Sequence, residues 1–101
     1  MTENKVTLVM NAIINKENMS ELPNYMEAMW PIMAQNNATL IGKYKGIDQI
    51  VGEQGPEIIG IFQFENADAI KNMVNGEEFK GLASLRARVF SKLNMTICSE
   101  M

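Results

Sequence analysis

A chain of 101 residues, 47% apolar and 21% charged, has the size and mix of one globular domain, and such a chain buries roughly 60–70% of its unfolded surface. Its net charge of −3, with no cationic grouping denser than Lys43 with Lys45 or Arg86 with Arg88, argues against nucleic acid, whose phosphates require several cations in a track. Histidine is absent and cysteine occurs once, at Cys98, which excludes an imidazole or thiolate metal cluster, a Ser-His-Asp or Cys-His arrangement and an internal disulfide, so neither metal nor cofactor is expected.

The first element, KVTLVMNAIIN (5–15), alternates as a strand. Val6, Leu8, Met10, Ala12 and Ile14 form an apolar face, and Thr7, Val9, Asn11 and Ile13 a mixed one. The run is short and has no basic flank, so it is not read as a secretory leader. Ser20 is a natural N-cap for a helix over roughly 21–36. On that helix Leu22, Tyr25, Met26, Met29, Ile32 and Met33 share one arc, with Trp30 on its flank and Pro31 opposite. A proline on the solvent side bends a helix without ending it, because water can satisfy the freed carbonyl.

A long hairpin follows, with strands from Ala38 to about Val51 and from Glu57 to Glu65 around a Gly52–Pro56 turn; Gly46 is the expected bulge or bend. Asn66 can cap a helix over Ala67–Val74 that Asn75-Gly76 ends. One helix is then predicted from Glu77 to Leu93, and a short closing strand over Met95–Ser99. The order β-α-β-β-α-β is the ferredoxin-like α+β arrangement: a four-stranded antiparallel sheet with helices on one face, here a single domain over 1–101. No run approaches the roughly 20 apolar residues of a membrane span, and the unpaired cysteine suits a reducing cytoplasm.

Helices on one face leave the other face exposed, and that face reads Thr7-Val9-Asn11-Ile13, Ile59-Ile61-Gln63 and Thr96-Cys98. It is too apolar for water, and a homodimer packed sheet against sheet is the expected partner arrangement.

Arg86 is the main chemical question. Setting Phe79 at zero and advancing about 100° per residue, Leu82, Ala83, Leu85, Val89, Phe90 and Leu93 fall in one arc, with Arg86 at its centre and Arg88 opposite as a solvated charge. A guanidinium there needs a partner. The internal candidates are backbone carbonyls and the carboxylates Asp48, Glu53, Glu65 and Asp68, or the side chain snorkels to the helix edge; the alternative is an anionic ligand in the sheet–helix cleft. Trp30, Met29 and Met33 are the expected apolar wall, methionine being an adaptable lining for a pocket. Tyr44 is a candidate ligand contact or proton carrier. No P-loop glycine spacing surrounds it, and Cys98 has no neighbour that would activate it.

The run GIFQFENADAIKNMVNGEEFKGLASLRARVF (60–90), followed by a terminal strand, resembles the dimeric α+β barrel superfamily, and within it a bacterial family known only as a domain of unknown function, related to antibiotic-biosynthesis-type monooxygenases. Family members commonly carry a Ser-x-Glu-Tyr type segment and then a Leu-Arg pair. Glu78-Phe79 stands here for Glu-Tyr, so that phenol is missing, while Leu85-Arg86 is kept. The resemblance implies the ferredoxin-like fold, a back-to-back dimer and a recurrent position for Arg86. Three functions are then open: a dimer binding a small anionic or aromatic molecule, with Arg86, Trp30, Tyr44, Met29 and Met33 as contacts; a cofactor-free monooxygenase or isomerase acting on a quinol, aromatic or lactone; or a dimerisation module without a ligand.

Overall fold

The computed structural model describes residues 5–101. Alternation along 5–15 produces β1 (Val6–Ile14), and a 3₁₀ turn over Lys16–Glu21 leads into α1 (Leu22–Gln35). The remaining elements are β2 (Thr39–Lys45), β3 (Ile58–Phe64), α2 (Ala67–Val74), α3 (Glu77–Gly81), α4 (Ala83–Val89) and β4 (Phe90–Cys98). The sheet order is β2-β3-β1-β4 and every neighbouring pair is antiparallel. This is the ferredoxin-like architecture expected from the sequence.

The core lies between the sheet and the helices. Leu8, Phe64, Tyr25 and Val89 are its largest fully buried side chains. Tyr25, Met29, Ile32 and Met33 form the buried arc of α1, while Pro31 is exposed on the far side and the helix continues through it. Asn37 takes the left-handed conformation (φ 63°) just after α1 and turns the chain into β2. Asn66 caps α2 as expected, its side chain accepting from the Ala69 amide at 2.9 Å.

Several boundaries differ from expectation. Ser20 does not cap α1; it sits in the 3₁₀ turn, which Asn15 caps by accepting from Glu17, and Pro23 occupies the first turn of α1, where no amide is needed. The predicted Glu77–Leu93 helix is two short helices broken at Leu82 (φ −93°, ψ 6°), and it ends at Val89. From Phe90 the chain is extended, because β4 pairs along the whole of β1, from Ile14↔Phe90 to Thr7↔Cys98. Those ladder bonds outweigh the helical period of the local sequence. The first hairpin strand stops at Lys45, and the residues between Lys45 and Ile58 form a long loop.

The bulge anticipated at Gly46 occurs earlier. Leu40 pairs with Phe62 and Gly42 with Ile61, so Ile41 is the extra residue in β2. One inserted residue exchanges the two faces for everything that follows. Leu40 faces the helices, and so do Lys43, opposite Gly60, and Lys45, opposite Ile58. Gly42 and Tyr44 face the open side, opposite Ile61 and Ile59.

The loop after β2 is tied to β1 through Glu57. Its carboxylate accepts from the Ile14 amide at 2.8 Å and from Lys16 Nζ at 2.6 Å, while its own amide donates to Ala12. Lys16, and then the Ile14 amide, hold the Glu57 carboxyl below its usual pKa. A depressed carboxyl stabilises the fold above its unfolded-state pKa and loses that contribution as pH falls through the folded value. Acidification through the carboxylate range is therefore expected to lower the protection of the Ile14 amide relative to its intrinsic exchange rate, and Lys16→Met to move the onset to higher pH. Residue-resolved exchange by NMR checks both.

Candidate functional site

Between α1 and the β1-β3-β2 side of the sheet lies a cleft of about 360 Å³. Its upper wall comes from α1: Tyr25, Met26, Met29, Trp30 and Met33. Its floor comes from Met10 on β1, Ile58, Gly60 and Phe62 on β3, and Leu40 and Lys43 on β2. The floor is open partly because position 60 has no side chain. A Cβ on Gly60 would stand 2.9 Å from the Phe62 ring and 3.6 Å from the Met10 methyl. Trp30 and Leu40, each 43% exposed, form the rim, and the Trp30 ring lies 6.5 Å from that of Phe62 at a tilt of 33°. Four thioethers among these walls make them soft and adaptable.

Trp30, Met29 and Met33 thus stand together on the cleft, whereas Arg86 and Tyr44 are not among its walls. Tyr44 is carried to the opposite side of the sheet by the Ile41 bulge, where it is 55% exposed and its ring lies across Gly42. The same bulge brings Lys43 to the cleft, the one charged residue on its walls. Simple alternation along TLIGKYK would have put Tyr44 inside and Lys43 outside, so no periodicity argument could have chosen Lys43. Met10 and Met26 were within reach, as members of the apolar arcs of β1 and α1.

Arg86 meets a backbone carbonyl, one of the expected partners, rather than a carboxylate. None of Asp48, Glu53, Glu65 and Asp68 pairs with it; among the described residues the ion pairs are Lys16–Glu57 and Arg88–Glu21. Instead Arg86 Nε donates to the Tyr25 hydroxyl at 3.1 Å, and Nη2 donates to the Phe79 carbonyl at 2.8 Å. Its guanidinium carbon lies 3.9 Å from the centroid of the Phe79 ring, a stacked cation–π contact. Phe79 sits in the last turn of α3, where a cation is favoured; its carbonyl accepts from the Leu82 amide at 3.1 Å and from Arg86 as a second donor. Arg86 therefore ties α1, α3 and α4 together. Tyr25 connects this cluster to the cleft, since it lines the cleft, receives the Arg86 bond and packs edge-on against Phe90 at 5.3 Å.

Arg88, expected as a solvated charge, binds Glu21 through two nitrogens at 2.9 and 3.2 Å on the surface. Each partner favours the other's charge: the Glu21 carboxyl is lowered and the Arg88 guanidinium raised, chiefly by this hydrogen bond.

Residues 8–101 match the model of a family described as Domain of unknown function (DUF1330). No curated protein is a match. Among solved structures the chain is similar to a protein of unknown function from Rhodopseudomonas palustris, with TM-score 0.82 and 7% identity, covering 99% of this chain and 85% of that one. It is also similar to a dimeric protein of unknown function with a ferredoxin-like fold from Bacteroides fragilis (TM-score 0.64, 14% identity, covering 99% and 100%). A third is a provisionally named antibiotic biosynthesis monooxygenase from Nitrosomonas europaea (TM-score 0.64, 7% identity, covering 100% and 94%). At these identities the likeness is one of fold.

Arg86→Leu is expected to destabilise the fold by about 1.5–3 kcal/mol, the range for hydrogen bonds to a charged group, because it releases the Tyr25 hydroxyl and the Phe79 carbonyl together. Urea denaturation measures this. Arg86→Lys restores less than half of the loss, since an ammonium cannot reach both acceptors and stack as the planar fork does.

Proposed function

The chain belongs to the DUF1330 family, and we propose that it works as a homodimer whose protomers each bind one small apolar molecule in the cleft beneath α1. The observation that carries this reading is the cleft itself, about 360 Å³ bounded by four methionines, a tryptophan rim and one charged residue. A concave, largely apolar site with few polar groups is the usual form of a small-molecule site. Binding is favoured over catalysis because no carboxylate, thiol, serine or threonine stands on those walls to serve as base or nucleophile. The proton-bearing groups on those walls are the Tyr25 hydroxyl, which accepts from Arg86, and the Lys43 ammonium.

Dimerisation is supported by the open face of the sheet. Val9, Ile13, Ile59 and Ile61 lie there only half-buried, and Tyr44 is exposed beside them. The chain exposes 6855 Å². A compact monomer of 11.3 kDa exposes about 5,700 Å². The excess exceeds the roughly 800 Å² that each partner contributes to a standard interface. Ile47, Ile50 and Val51, on the loop after β2, are 83–90% exposed and add to the surface that water covers poorly. The Bacteroides fragilis neighbour is itself named as dimeric.

Trp30 is the only tryptophan and stands on the rim, so its emission reports occupancy. Titration with 2-naphthol, a neutral two-ring probe, is expected to change that emission saturably and to raise the thermal midpoint. Gly60→Leu, which fills the floor, removes both responses while retaining the wild-type circular dichroism spectrum. Absence of any response in the wild-type protein would overturn the binding reading. Light scattering at micromolar concentration is expected to give twice the chain mass. Ile61→Lys, which puts a charge on the open face, is expected to give a folded monomer; a wild-type monomer would defeat the dimer.

A further inference from the structure

We infer that the occupant of the cleft is an amphipathic organic acid, with an apolar body of about two fused rings' bulk in the cleft and one anionic group held by the ammonium of Lys43. This rests on the cleft being a ligand site, as proposed above, and adds to it the ligand's chemical class and the residue that recognises it.

Three observations lead there. The first is the isolation of the charge. Lys43 is the one ionic side chain on walls that are otherwise apolar or aromatic, and it belongs to neither ion pair found among the described residues. A neutral apolar ligand would leave the exposed ammonium to water and gain nothing from it. An acid group would supply a counter-charge, and a charge-assisted bond at the edge of an apolar cleft is stronger than one in open water.

The second observation is the bulge. Without Ile41, strict alternation would put Lys43 on the open side and Tyr44 over the cleft; with it, Lys43 stands opposite Gly60 on the floor. Lys45, opposite Ile58, projects to the same side, so two ammonium groups follow one another along the edge strand beside the mouth. In a chain of net charge −3 this is a local reversal of sign, and it would draw an anion toward the mouth. Lys43 is exposed, so its flexible stem can lie along the apolar rim while its head stays at the water boundary. The ligand should accordingly enter body first and keep its acid group outermost.

The third is size. A cavity of roughly 150 Å³ receives one benzene ring. At about 360 Å³ this cleft has room for two rings or an acyl chain of equal bulk, but not for a nucleotide's polar sugar and phosphates, which its walls could not hydrogen-bond.

The test compares 2-naphthoate with its neutral counterpart 2-naphthamide, followed by Trp30 emission, in the wild-type protein and in Lys43→Gln, Lys43→Arg and Lys45→Gln. The wild-type protein is expected to bind the acid about tenfold more tightly than the amide, a preference that weakens as salt is raised. Lys43→Gln abolishes the preference without weakening the amide, Lys43→Arg keeps it, and Lys45→Gln reduces it only slightly. Because residues 43 and 45 are both exposed on an edge strand, all three variants are expected to retain the wild-type melting profile. Equal binding of acid and amide by the wild-type protein overturns the anion assignment and leaves the cleft reading intact. A preference that survives in Lys43→Gln overturns Lys43 as its source. Failure of both probes to bind the wild-type protein removes the cleft reading and this inference with it.

Discussion

A β-sheet has two faces, and this chain has helices for only one of them. Most features of the molecule follow from that imbalance. The covered face gathers Leu8, Ala12, Phe62 and Phe64 against the buried arc of α1, and its packing supplies most of the hydrophobic stabilisation. The cover is not uniform. α2 packs against β3 and α4 against β4, while α1 is the helix that lines the cleft over the β2 side. The bare face keeps Val9, Ile59 and Ile61 half in water, a demand that a second copy of the chain would meet.

The period of two along a strand makes side-chain placement all or none. One inserted residue in β2 decides which of two adjacent residues, Lys43 or Tyr44, meets the cleft. Ile41 therefore exchanges a phenol for an ammonium at that site, a change of chemistry made by backbone register alone. The edge position of β2 makes the device tolerable, because a bulge there disrupts pairing with only one neighbour.

The arginine in the apolar arc of the last helical region answers to the same economy of cover. The chain bends at Leu82, so α3, α4 and α1 converge without a continuous helix to hold them together. Arg86 joins them with one fork: a carbonyl of α3, a hydroxyl of α1 and the face of the Phe79 ring. Phe79 supplies both the ring and the carbonyl, so this role needs no phenol at that position. Arg86 is thus a structural tie beside the cleft, and it shapes the cleft only through Tyr25.

Local pattern was enough to determine the element order, the apolar arcs of β1 and α1, the tolerance of Pro31, the Asn66 cap and the half-apolar open face. All of these depend on periodicities of 2 and 3.6 or on the chemistry of a few neighbouring residues. Met29, Met33 and Trp30 were legible as neighbours for the same reason, since they share one helix surface. Tertiary structure alone decided the early end of the last helix, which turns to strand at Phe90 because β1 offers it ladder bonds. It alone chose Tyr25 and Phe79, rather than a carboxylate, as the partners of Arg86. It also set the bulge at Ile41, which satisfies pairing with β3 and leaves no mark in composition or period. Pattern reveals which face a residue shares with its neighbours; only the partner strand reveals which way that face points.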